Sequence, residues 1–170
     1  MSAFGLELTE RQRTLLQGLY PVLLLLILNP MLEVVATSWP LTFDDTRWRV
    51  GFLGALLAGI LPVLTGLALI ALLAALLGHG GVIRAVAVGA FLCTAVLIVC
   101  GGLFGLDALQ VRRMVRLNAK ASFDAASFKT LAMTGLMILV SGWLGVRTFV
   151  ASRGLFGKRG EGRDGLVVGQ

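Results

Sequence analysis

Apolar residues fall into four long runs, each set off by charged or turn-forming residues. The longest follows Arg47-Trp48-Arg49 and meets no formally charged side chain until Arg84. Its body, residues 50–77, is long enough to cross a bilayer, since about 20 apolar residues cover a hydrocarbon core of roughly 30 Å. Runs at about 14–36, 82–106 and 129–150 repeat the pattern. Together they predict an all-α fold: one domain holding four transmembrane helices in an up-down-up-down bundle over residues 1–152.

In the first run Asn29-Pro30 removes a backbone donor, which predicts a kink or loosened turn near Leu26–Pro30. Glu33 lies 19 residues past Thr14, about 28 Å along a helix axis, which puts it at the far interface. The loop 37–49 carries Trp39, Phe43 and Trp48 beside Asp44 and Asp45, and such aromatics prefer the headgroup level. In the second run Gly51, Ala55, Gly59, Pro62 and Gly66 recur every three or four residues. They form one stripe along a helix face, and in lipid such stripes let two backbones approach closely. Gly101 and Gly105 in the third run, and Gly135 and Gly142 in the fourth, extend the same signal.

The turn Gly78–Gly81 makes helices 2 and 3 a hairpin. Helix 3 is expected to run on through 107–118 as a basic amphipathic segment. Ala108, Val111, Met114 and Val115 fall on one side, and Arg112, Arg113, Arg116 and Lys120 on the other. Ser122 or Asp124 is the expected cap of helix 4. Residues 153–170, rich in glycine and alternating charge, read as a mobile tail.

Composition agrees with the pattern. Of 170 residues 57% are hydrophobic and only 14% charged, against about 25% charged in soluble domains. The net charge of +6 points to anionic lipid and not to nucleic acid, because the basic residues flank apolar runs. The uncharged stretch from Thr14 to Leu32 exceeds the usual signal-peptide core, so a retained anchor is expected. The side holding both termini carries eight Lys and Arg and the other side seven, which does not orient the chain. The acidic, aromatic first loop favours cytoplasmic termini in a bacterial inner membrane, while the basic extension of helix 3 pulls the other way.

Candidate chemistry is sparse. Cys93 and Cys100 are seven residues apart, about 10.5 Å along a helix, too far to form a disulfide with each other. His79 is the sole histidine, so neither a bis-imidazole haem nor a multi-histidine metal site can form in one chain. It reads as a solvated turn residue. No G-x-S-x-G pattern occurs, and Gly101, Gly102 and Gly105 lie within an apolar run, where they serve close packing and not a phosphate. No catalytic group, cofactor or metal is expected.

Asn29, Thr65, Thr94, Thr134 and Ser141 are the notable polar residues nearer mid-span, each able to bond a neighbouring carbonyl. What remains is a collar where loops 1 and 3 meet: Glu33, Asp44, Asp45 and Asp107 opposite Arg47, Arg49, Arg112 and Arg113. It reads first as ion pairs that fix helix order, and then as a docking surface for a partner or an anionic headgroup. The expected role is a non-enzymatic structural or accessory membrane component, packing with copies of itself or in a larger complex. A small oligomeric transporter using Glu33, and a lipid-sensing module using Arg112–Lys120, are the alternatives.

Overall fold

The computed structural model describes the backbone of residues 9–161 and side chains as far as Arg153. Among these residues the chain is helical, without strands, and four of its helical stretches are long and apolar enough to cross a membrane. Helix α1 (Glu10–Gln17) leads through Gly18 into α2 (Leu19–Thr37). Gln12 accepts a hydrogen bond from the Thr9 backbone N–H, satisfying one of the donors a helix start leaves open. The division at Gly18 lies beside Pro21, which has no N–H to offer the Gln17 carbonyl. Pro30 does not interrupt α2, which is continuous through it.

Helix α3 (Thr46–Leu77) begins one turn before the apolar run, because the Asp45 carboxylate accepts the Arg47 N–H at 2.8 Å and caps it there. It ends at Gly78, whose φ of 72° belongs to the left-handed region where glycine carries no Cβ penalty. Helix α4 (Gly80–Arg112) follows directly.

The third helix stops at Arg112 instead of continuing to residue 118. Its last bonds tighten to Arg113 N–H to Gln110 and Met114 N–H to Val111, and Arg116 is extended. Continuing the helix would stack Arg112 on Arg116 and Arg113 on Arg116, and like charges at that spacing repel. A short 3-10 turn (Leu117–Ala119) then opens α5 (Lys120–Glu161), well before residue 129. Neither expected residue caps it: the Ser122 hydroxyl donates to the Ala119 carbonyl, and Asp124 takes an ion pair from Arg112. Of the stretch 153–170, the backbone is described to Glu161 and is helical; the remainder lies outside the described residues.

Helices pack in chain order, α2 on α3, α3 on α4 and α4 on α5, with a lesser contact between α3 and α5. The core gathers Ile60, Val63, Leu64, Leu67 and Ile70 of α3 with Ile27, Val86, Ala90, Leu97 and Met137 from the other three. The longest apolar run therefore supplies half of this cluster. The inner face of α5 is of another kind. Thr134, Ser141, Thr148 and Ser152 are all buried there. Each hydroxyl donates to a carbonyl three or four residues back in its own helix. The polar atom is thereby satisfied locally, and a small side chain remains to face α4.

Candidate functional site

Loop 1 and the α4–α5 connection meet at one end of the molecule. Asp107, one turn from the end of α4, is buried at 5% exposure. Arg49 of α3 clasps it bidentately, Nε to Oδ2 at 2.7 Å and Nη2 to Oδ1 at 2.8 Å. The same guanidinium donates to the Phe43 carbonyl at 2.8 Å and to Thr46 Oγ1 at 3.3 Å. One side chain thus joins α3, α4 and loop 1. Charged hydrogen bonds with this forked geometry are the strong kind, and a buried carboxylate requires them.

Aromatic residues close the loop. Trp48 donates from its indole N–H to the Ser38 carbonyl at 2.7 Å. Phe43 meets Trp48 edge-on, with centroids 5.0 Å apart, and Phe52 stacks on it at 5.1 Å. A second ion pair, Arg112 to Asp124 at 2.8 Å, ties the end of α4 to the start of α5 and is more exposed.

The remaining expected collar residues are placed differently. Asp45 caps α3, and Asp44, Arg47 and Arg113 are exposed. Glu33 is exposed as well, and its residue contributes a backbone carbonyl that accepts the Thr37 hydroxyl. Arg49–Asp107 and Arg112–Asp124 are the ion pairs among the described residues.

The glycine stripe divides along its length. A Cβ on Gly66 would lie 2.6 Å from Ile27 Cγ1, and one on Gly59 would lie 2.9 Å from Val34 Cγ2 and 3.4 Å from the Pro30 carbonyl oxygen. These two glycines receive α2. Ala55 and Pro62 are half-buried, and a Cβ on Gly51 would meet nothing within 4 Å. On α4, a Cβ on Gly101 would lie 2.8 Å from Thr134 Cγ2 and one on Gly105 would lie 3.9 Å from Leu131. On α5, a Cβ on Gly142 would lie 3.9 Å from Thr94, and one on Gly135 would meet nothing within 4 Å. The sequence reading passed over Gly145, which lies under the Phe91 ring at 3.0 Å by the same measure.

At the opposite end His79 is half-buried and not a solvated turn residue. Its Nδ1 lies 3.1 Å from the Tyr20 hydroxyl, and the two rings stack with centroids 6.0 Å apart. That link draws α2 onto the α3–α4 turn. Thr94 and Ser141 join α4 to α5 at 2.9 Å midway between the ends. Of the five mid-span polar residues, Thr65, Thr134 and Ser141 donate to backbone carbonyls of their own helices, and the single Thr94 hydroxyl proton lies within reach of both Ser141 Oγ and the Ala90 carbonyl, 2.9 Å from each. Asn29 does not: it is exposed on α2, and its side chain has no hydrogen bond among the described residues. Among the described residues no three of His, Cys, Asp and Glu gather to hold a metal ion, and Cys93 and Cys100 are free. No protein-family model, curated protein or solved structure matches the chain.

Proposed function

We propose that the four apolar helices cross a bilayer of the bacterial inner-membrane type, and that the protein is a non-catalytic component of a membrane assembly. It associates through the outward face of α2. The observation that carries this reading is Asn29. Its carboxamide has two donors and two acceptor lone pairs, yet it stands on the open side of the helix. Val22, Leu25 and Leu32, at 60, 64 and 66% exposure, occupy the same side. Within hydrocarbon an unmet amide is costly, and a second transmembrane helix is the available source of partners. An asparagine is self-complementary, so a second copy of this chain, α2 against α2, is the partner proposed. Thr65, Thr94, Thr134 and Ser141 on the other spans support the same view, since each already fastens one helix or joins two.

Crosslinking in native membranes tests the reading. In a background where Cys93 and Cys100 are replaced by alanine, Leu25→Cys is expected to give a disulfide-linked dimer. Asn29→Leu should suppress that product without changing helical content. A chain that stays uncrosslinked and monomeric in lipid nanodiscs overturns the proposal.

A further inference from the structure

Between the start of α3, the end of α4 and the start of α5 lies a groove of about 500 Å³, within the usual range for small-molecule sites of roughly 300–1,000 Å³. Its walls are apolar: Val50 and Gly54 from α3, Phe104 and Val111 from α4, and Phe123 from α5. Gly54 keeps it deep, because a Cβ there would meet nothing within 4 Å. From Arg47 to Gly54 the groove follows seven residues of helix, about 10 Å.

Arg47 also lines the groove, and Thr46, Ser127 and Thr130 are its other polar residues. Arg49 and Arg47 are two residues apart and so point to different sides of α3. The first turns inward and is engaged by Asp107 and the Phe43 carbonyl. The second has no acidic partner among the described residues; Asp45 takes only its backbone N–H. One unpaired guanidinium beside an apolar slot is complementary to one kind of molecule, with an anion joined to a hydrocarbon chain.

We infer that this groove binds an anionic phospholipid, its phosphate on Arg47 and one acyl chain lying along Val50, Gly54 and Phe104. Guanidinium groups recognise phosphate by paired hydrogen bonds, and the Thr46 and Ser127 hydroxyls are further donors. The slot is too apolar to hold a free anion by itself. It is also open at Val50, which is 40% exposed, so a chain can enter from the side of the bilayer. This site is independent of the α2 face and stands or falls separately.

The test uses the full chain in mild detergent, titrated with phosphatidylglycerol, phosphatidylcholine or inorganic phosphate, with bound lipid counted by native mass spectrometry. Wild type should retain phosphatidylglycerol in preference to phosphatidylcholine and gain nothing from phosphate. Arg47→Gln should weaken phosphatidylglycerol binding roughly fivefold, as expected for one cation at a charged headgroup. Gly54→Leu fills the groove without meeting a neighbour at its Cβ and should weaken binding about tenfold or more. Arg113→Gln, which removes a charge from the same end but does not line the groove, should leave binding unchanged. Undiminished binding by Gly54→Leu overturns the proposal. So does an equal loss in Arg113→Gln and Arg47→Gln, or equal retention of the two lipids.

Discussion

Arg49 and Asp107 stand 58 residues apart in the chain and meet through two hydrogen bonds of 2.7 and 2.8 Å. Removing one partner leaves the other charge without its paired hydrogen bonds, and for Arg49 only the more distant Asp44 and Asp45 remain as acids. Asp107→Ala is therefore expected to lower the melting temperature, because Arg49 loses the forked carboxylate that joins α3 to α4. Arg49→Met combined with Asp107→Leu should recover part of that loss, since an apolar replacement of both partners avoids the stranded charge. Thermal denaturation in detergent reads both. A double variant no more stable than Asp107→Ala would contradict this account.

The glycines of α3 offer an internal contrast. Gly66→Ala pushes a methyl group against Ile27 and should cost about 1–3 kcal/mol. Gly51→Ala meets open space and should be neutral or stabilising by up to about 1 kcal/mol, from the better helix propensity of alanine. Shortening the obstructing side chain with Ile27→Ala should make the Gly66→Ala penalty smaller. Equal effects at Gly51 and Gly66 would rule out the described fit between α2 and α3.

Thr94 and Ser141 share one hydrogen bond between α4 and α5. Interhelical bonds of this type are worth about 0.6 kcal/mol on average in membranes. Thr94→Val should show a loss of that size, and adding Ser141→Ala should remove little more. Additive losses in a double-mutant cycle would show that the two hydroxyls act separately.

Tyr20→Phe removes the hydroxyl that meets His79 and should cost about 1 kcal/mol. Because the contact lies at one end of α2, the loss should be local. Hydrogen exchange is expected to rise at the Gly78–Gly81 turn and the start of α2, while the Arg49–Asp107 end keeps its protection. A uniform increase along the chain would show that the contact is not a local fastening.

The four helices are legible in the sequence because charge is nearly absent from long segments, and nothing but helix suits such lengths. Their ends are less legible. At the end of α4 three arginines crowd one another, and Arg112 turns to Asp124 at the start of α5, a pairing the order of residues does not reveal. The collar shows the same limit. The sequence places four acids and four bases at one end, but only helix rotation selects Asp107 for Arg49 and brings in Asp124, which in sequence is one of two candidate caps. The spacing of Gly59 and Gly66 marks a smooth face without naming α2 as its neighbour. Asn29 is the plainest case. In sequence it resembles Thr65 or Thr94, and only the side toward which α2 turns leaves its amide unmet. His79 looked solvated because its glycine neighbours are visible in sequence and Tyr20, 59 positions earlier, is not.

The long separation between Arg49 and Asp107 also bears on how the chain is made. At synthesis rates of about 5–20 residues per second, the acid follows its base out of the ribosome by roughly 3–12 s. During that interval Arg49 has the Phe43 carbonyl, Thr46 and the attraction of Asp44 and Asp45 from its own neighbourhood. The start of α3 is held first by loop 1 and secured by α4 only later. A chain cut short before residue 107 would leave Arg49 to the nearby Asp44 and Asp45 carboxylates of its own loop, without the forked partner that ties it to α4.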